Sequence, residues 1–169
     1  MAFIYVRNVS SLWRCMLGGI IYHTSKDWLD YLIEHNLTDE VSFWTSRKTR
    51  LDIDGFGVVG QPIPFFFKTE DEQLVGVGNY IRQETLTLEE AWSKYGRKNG
   101  VDTKEALLES AAKILRTRGT SSRMIFIILG GIRLFRQPIK PEGIKLKNVL
   151  YRQLDRLTAS AILEATRLQ

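Results

Sequence analysis

The chain of 169 residues has a single cysteine, Cys15, and only two histidines, His23 and His35. One cysteine excludes an internal disulfide and any metal site built from several thiolates, which fits a reducing cytosol. The histidines are far apart, without acids or thiols at ligand spacing, so we expect no metal site. No apolar run approaches the roughly 18 residues that a membrane-spanning helix needs. We therefore expect a cytoplasmic protein without a membrane partner.

Motifs for catalysis are lacking as well. Gly76-Val77-Gly78 has no third glycine ahead of a helix, so it does not complete a dinucleotide-binding loop, and no Gly-Lys-Ser/Thr phosphate loop occurs. His35-Asn36 is not followed by a third histidine that could complete a metal-dependent nuclease unit. Because no nucleophile–base pair and no metal cluster is found, the sequence predicts a binding module without a cofactor, not an enzyme.

Charge is abundant but unevenly distributed. The chain carries 24 lysines and arginines against 19 acids, a net charge of +5. Residues 115–169 hold eleven of the cations and only three of the acids, so this part carries +8 and the remainder carries −3. An asymmetry of this size within one small domain favours an anionic partner, with nucleic acid ahead of membrane.

Strands separated by helices of unequal length predict an α+β fold for a single domain over residues 1–169. We expect a small, curved or barrel-like, mostly antiparallel sheet with helices packed at its openings. Thr87 and Glu90 form a capping-box pattern at the start of one helix. The tail over residues 146–169 has helical periodicity, which predicts a docking helix or a linker. The predicted strands cover residues 3–6, 17–22, 40–44, 64–68, 74–80, 124–129 (ended by Gly130-Gly131) and 133–136. The predicted helices cover 27–34, 88–95 and 103–115, the last with Ala106, Leu107, Ser110, Ala111 and Ile114 on its inner face.

Two basic loops are candidate contacts for a sugar-phosphate backbone. The first follows the strand that ends near Trp44, and the second lies between a helix and the strand that begins at Met124. Arginine forks match phosphate geometry and lysine supplies a point charge, while hydroxyls add hydrogen bonds. Each loop alone could equally be a solvated turn. The candidate residues are Ser46, Arg47, Lys48 and Arg50 in the first loop, and Arg116, Arg118, Ser121, Ser122 and Arg123 in the second.

A third basic segment, Tyr95-Gly96-Arg97-Lys98-Asn99-Gly100, ends a predicted helix. Its glycines permit left-handed backbone geometry and the close approach of a ligand. The two cations also complement the negative end of the helix dipole, and Tyr95 could be a core aromatic, so a purely structural role is an alternative.

A spaced series of motifs between Val41 and about Pro138 resembles a known family. It resembles the sulfur-binding domains of phosphorothioate-dependent type IV restriction endonucleases and the related PUA-like modules that precede HNH nucleases in bacterial restriction proteins. The series comprises Phe43-Trp44, Pro64-Phe65-Phe66-Phe67-Lys68, Val75-Gly76-Val77-Gly78, Ala91-Trp92, Tyr95-Gly96 with Asn99-Gly100, and Ile125-Phe126-Ile127-Ile128-Leu129.

The resemblance implies a module that binds double-stranded DNA and holds a sulfur-substituted phosphate in a shallow apolar pocket. By position, Tyr95, Gly96 and Asn99 would form the pocket and Arg47 and Lys48 would flank it. Ser46, Arg50, Arg97, Lys98, Arg116, Arg118, Ser121, Ser122 and Arg123 would contact the DNA backbone or grooves. Some family members have proline and alanine where this chain has Gly96 and Asn99, and an amide at position 99 makes the expected pocket less apolar. Any nuclease would lie in another domain or subunit.

Two other functions fit the same sequence. A PUA-like reader of a modified base in DNA, or of RNA, would need an aromatic cage, for which Trp44, Tyr80 and Tyr95 are available. A basic protein-interaction domain would instead dock an acidic partner and would bind nucleic acid only nonspecifically.

Overall fold

The computed structural model describes residues 17–45, 50–51, 53, 62–115 and 122–167. The strands within these ranges are β1 (Leu17–His23), β2 (Val41–Thr45), β3 (Ile63–Lys68), β4 (Leu74–Leu86), β5 (Met124–Ile139) and β6 (Tyr151–Asp155). The α-helices are α1 (Lys26–Glu34), α2 (Leu88–Tyr95), α3 (Lys104–Leu115) and α4 (Arg156–Arg167), and a 3-10 turn, η1 (Gly96–Asn99), follows α2. The strand predicted at residues 3–6 lies outside the described residues.

The six strands form one mixed sheet in the order β2-β5-β4-β3-β1-β6. Among the strands of the described residues, only the β1–β3 pair is parallel, and β2–β5, β5–β4, β4–β3 and β1–β6 are antiparallel. The structure therefore confirms the predicted α+β fold with a mostly antiparallel sheet. The two longest strands, β4 and β5, form an antiparallel pair, although α2, η1 and α3 separate them in the chain.

Strand β3 shows why the sheet needs helices on both faces. Phe65, Phe66 and Phe67 are all fully buried, and side chains alternate between the faces of a strand. Phe65 and Phe67 pack with α1, whereas Phe66 packs with α4. The tripeptide therefore connects the two helical layers through the sheet. Burying each phenylalanine side chain contributes roughly 1.5–3 kcal/mol.

Helices α2 and α3 cover the other half of the second face, over Met124, Phe126 and Ile128 of β5. The predicted capping box of α2 is present. Thr87 Oγ1 accepts a hydrogen bond from the Glu90 backbone N–H at 3.2 Å, and the Glu90 carboxylate accepts one from the Thr87 N–H at 2.8 Å. Two unpaired N–H groups of the helix start are satisfied in this way, which fixes where β4 ends and α2 begins.

Three details of the predicted elements are wrong. Strand β5 does not end at Gly130-Gly131 but continues to Ile139. Gly131 has a positive φ of 59° and donates its N–H to Asp39. Pairing with β4 continues beyond these glycines, so they interrupt the register without ending the strand. Residues 151–155 of the tail form the edge strand β6 against β1, and only the residues after them are helical. Ser110, predicted on the inner face of α3, is exposed and bonds to the Ala106 carbonyl.

Candidate nucleic-acid interface

The strand register brings two of the three basic segments to one end of the sheet. Thr45, the last residue of β2, lies opposite Ile125, and Leu86, the last residue of β4, lies opposite Met124. In the chain, Ser46 follows Thr45 directly and Arg123 precedes Met124. Both basic loops therefore meet the sheet at this place, which we call the β2–β5 end. The expected contacts Ser46, Arg47, Lys48, Arg116, Arg118 and Ser121 lie outside the described residues.

Arg123 is held at the β2–β5 end by its own chain. One guanidinium nitrogen donates to the Thr85 carbonyl at 2.6 Å, and another lies 3.2 Å from the Glu90 carboxylate of the capping box. About half of the Arg123 side chain is exposed. A phosphate that binds Arg123 must share the guanidinium with these two acceptors, so the side chain is ordered in advance but partly neutralised.

The segment that follows the first basic loop is anchored by Gln83 of β4. The Leu51 N–H donates to Gln83 Oε1 at 2.7 Å, and Gln83 Nε2 donates back to the Leu51 carbonyl at 2.8 Å. Gln83, Leu51 and Ile53 are all buried, and the two apolar side chains belong to the core that α1 covers. This amide pair fixes the backbone next to the exposed Arg50 and so defines where the basic loop rejoins the sheet.

Replacing Gln83 by leucine is expected to lower the free energy of unfolding by about 2 kcal/mol. The apolar isostere leaves the buried N–H and carbonyl of Leu51 without a partner, and each lost bond costs on the order of 1 kcal/mol. Urea denaturation compared with the exposed strand variant Asn79→Leu measures the effect. Equal stability of the two variants would show that the Leu51 backbone is satisfied in another way.

The third basic segment forms a tight turn whose amide is internal. Asn99 is fully buried, and its Nδ2 donates to the Gly96 carbonyl at 2.8 Å and the Ala91 carbonyl at 3.1 Å. Its backbone carbonyl accepts a hydrogen bond from the Trp28 indole N–H at 3.1 Å. The Asn99 side chain therefore ties the end of α2 to η1, and it does not present the polar group that the sequence led us to expect in the pocket.

Gly96 is the accessible member of the expected pocket. It has a φ of 50° and a ψ of −127°, a conformation that favours glycine. An added Cβ would meet no atom of the described residues within 4 Å, so they leave the space above its Cα open. Tyr95 and Asn99 are both buried. Gly96 therefore lies at the surface between two members of the expected pocket whose side chains are buried.

The hydroxyl of Tyr95 belongs to a charged network that sequence reasoning did not find. It donates to Glu84 at 2.9 Å and accepts from Arg82 at 3.1 Å. Glu84 also accepts hydrogen bonds from Arg82 at 2.7 Å and Lys94 at 2.7 Å. Burial would raise the pKa of Glu84, but hydrogen bonds from Lys94, Arg82 and Tyr95 overcome this and lower its pKa to about 2. Spacing gave little signal, because Glu84 and Lys94 are ten residues apart on different elements.

Arg97 is exposed but paired. Its Nε donates to the Tyr31 hydroxyl at 2.8 Å, and its Nη2 lies 3.1 Å from Asp102. The Tyr31 hydroxyl also donates to Asp102 at 2.8 Å, and this bond is the largest cause of the lowered pKa of the Asp102 carboxyl. Lys98, by contrast, makes no hydrogen bond or ion pair within the part of the chain that the structure describes.

The structure thus separates the expected site residues into two groups. Ser122 and Arg123 lie at the β2–β5 end, beside the start of α2. Arg50 precedes Leu51, which is bonded to Gln83 near the same end of β4. The pocket residues and Arg97 and Lys98 lie at the other end of α2, where η1 packs against β2. Helix α2 rises about 1.5 Å per residue, so Glu90 and Gly96 are roughly 9 Å apart along its axis.

Comparison with known proteins identifies the fold. No family model and no curated protein sequence matches the chain. The solved structure of ASCH from Zymomonas mobilis superposes with a TM-score of 0.61 at 10% identity, covering 88% of this chain and 96% of that one. The N-terminal domain of Staphylothermus marinus McrB superposes with a TM-score of 0.56 at 8% identity, covering 91% of this chain and 95% of that one. At these identities the similarity shows a shared PUA-like fold.

Two further findings concern metal binding and membrane crossing. Among the described residues, no three histidine, cysteine or acidic side chains are grouped closely enough to hold a metal ion. None of the helices in the described ranges combines the length and the hydrophobicity that a bilayer crossing requires.

Proposed function

We propose that the chain is a nucleic-acid-binding recognition module that holds the backbone of double-stranded DNA at the β2–β5 end. The observation that carries this proposal is the register of Thr45 with Ile125 and of Leu86 with Met124, which brings two basic loops to one end of a rigid sheet. Phosphate contacts made from loops on a rigid scaffold supply affinity and a steep dependence on salt.

We propose further that the module discriminates a phosphorothioate through the surface at Gly96, as part of a bacterial restriction system whose nuclease lies in another domain or subunit. Sulfur is larger, more polarizable and less well hydrated than the oxygen that it replaces, so apolar contact favours it. The burial of the Asn99 amide and the internal bonds of the Tyr95 hydroxyl support this proposal, because both polar groups are withdrawn from the surface. The open space above Gly96 leaves room for the substituted phosphate.

The test is a titration of one labelled duplex, with and without a single phosphorothioate, at matched physiological salt. We expect at least about ten-fold tighter binding to the sulfur duplex, equivalent to roughly 1.4 kcal/mol. Equal binding would overturn the sulfur proposal and direct attention to a modified base or RNA. Absence of binding to either duplex would overturn nucleic-acid binding altogether and favour an acidic protein partner.

Substitution of Arg47 tests the proposed contact with the DNA backbone. Arg47→Ala should weaken binding to both duplexes by the same factor and reduce the slope of log K against log salt by about 0.9. Arg167→Ala, at the exposed end of α4, is the matched control and should leave both affinities unchanged. Unaltered binding by Arg47→Ala at low salt would contradict the placement of the backbone contact.

A further inference from the structure

A second basic surface lies on the loop between β5 and β6, which the sequence-based site did not include. Lys140, Lys145 and Lys147 are exposed there, and no acid of the described part of the chain pairs with them. Glu142 is the one acid in the same loop. This differs from Arg97 and Arg123, which are bound to carboxylates. An unpaired cation can bind a phosphate without first losing an internal partner, so these lysines are energetically favoured phosphate contacts. We call residues 140–149 the lysine loop.

The lysine loop has fixed anchors. Leu146, between two of the lysines, is buried in the core under α4, and Pro141 is buried as well. The buried Lys68 donates its ammonium to the Val149 carbonyl at 2.9 Å, and the Val149 N–H donates to the Leu146 carbonyl at 3.2 Å. The backbone that carries Lys145 and Lys147 is therefore positioned by the protein interior, which favours a defined contact over a flexible tail.

The lysine loop lies at the opposite end of the sheet from the two basic loops. Leu74, the first residue of β4, lies opposite Ile139, which precedes Lys140. Leu86, at the other end of β4, lies at the β2–β5 end. A strand rises about 3.3 Å per residue, so the two ends of β4, where the two basic surfaces meet the sheet, are at most about 40 Å apart. One turn of B-form DNA is about 34 Å long.

We infer that a single DNA duplex of more than one helical turn contacts both surfaces, with its phosphates bound by the β2–β5 end and by the lysine loop. This inference rests on the proposed function and adds the length of nucleic acid that the module occupies. The acidic turn Glu70-Asp71-Glu72 precedes β4 at the same end of the sheet. This turn would repel phosphates and so confine the duplex to the side of the sheet end on which the lysine loop lies.

The experiment compares two ligands with the full chain. A hairpin with a six-base-pair stem is about 20 Å long and cannot span the two surfaces, whereas a 16-base-pair duplex of about 54 Å can. The double variant Lys145→Gln/Lys147→Gln should bind the long duplex about ten-fold more weakly, with a salt slope smaller by about 1.8. Its affinity for the hairpin should equal that of the unaltered protein.

The matched control is Lys26→Gln/Lys104→Gln, which makes the same change in net charge at two lysines already paired with Asp30 and Glu89. It should leave binding of the long duplex almost unchanged. If the lysine-loop variant bound the long duplex as well as the unaltered protein does, the second contact would be excluded while DNA binding itself remained. Equal losses on hairpin and duplex would also overturn the inference, since both ligands would then occupy one surface. Failure of the unaltered protein to bind either ligand would overturn the proposed function.

Discussion

Replacing Gly100 by alanine is expected to lower the free energy of unfolding by about 4 kcal/mol. Gly100 has a φ of 82°, and an added Cβ would lie 2.1 Å from Cδ1 and 2.4 Å from Nε1 of the Trp28 indole. Left-handed geometry costs alanine roughly 1–2 kcal/mol, and overpacking a core adds typically 1–3 kcal/mol. Trp28 cannot move without loss, because its ring packs on Phe43 and Phe67 and its N–H bonds to Asn99.

Gly96→Ala is the control, because Gly96 shares the positive φ but no described residue lies within 4 Å of the added atom. Its ψ of −127° lies outside the left-handed helical region, and it should lose only the backbone contribution of that conformation, about 1–3 kcal/mol. Gly100→Asn separates the two causes further, since asparagine tolerates left-handed geometry yet carries the same Cβ, and it should be nearly as unstable as Gly100→Ala. Urea denaturation of the three variants measures these differences. Equal losses at both glycines would show that Trp28 adapts to the methyl group.

The elements of the fold were largely predictable because their signals are local. The capping box at Thr87 and Glu90 and the aromatic run of β3 each act within a few residues, and both predictions are confirmed. Strand β6 was missed for the converse reason. Tyr151–Asp155 is an edge strand with exposed Arg152 and Gln153, so its sequence lacks the apolar alternation of a half-buried strand, and its structure depends on pairing with β1.

The candidate site was less predictable because burial there depends on contacts between distant residues. Asn99 looks like a surface amide in a basic, glycine-rich turn, and nothing nearby in the sequence shows that Trp28, 71 positions away, covers it. The lysine loop was likewise hidden, although the excess charge of residues 115–169 indicated it. Sequence composition identified a basic region correctly, but only the ion pairs distinguish cations that are already neutralised from those that remain available.

Glu84 should make the free energy of unfolding depend on pH in the acid range. Its pKa is lowered to about 2 in the folded protein, whereas an exposed glutamate titrates near 4.3. A carboxyl whose folded pKa is depressed stabilises the protein above its unfolded pKa, and this contribution is lost as the pH falls through the folded value. The side chain is only 14% exposed. The shift therefore corresponds to about 3 kcal/mol, present at neutral pH and lost between about pH 5 and pH 2.

The variant Glu84→Gln removes this titration, so its stability should fall less steeply than that of the unaltered protein between pH 5 and pH 2.5, although it is less stable at pH 7. Glu89→Gln makes the same charge change at a carboxylate that is 73% exposed and paired with Lys104, and it should retain the steep acid dependence. Parallel stability curves for Glu84→Gln and the unaltered protein would show that another carboxyl governs acid unfolding. Because Glu84 also bonds to Tyr95, loss of its charge should loosen the end of α2 that positions Gly96. Any phosphorothioate preference should then decline over the same pH range as stability, before the basic loops lose their affinity for plain DNA.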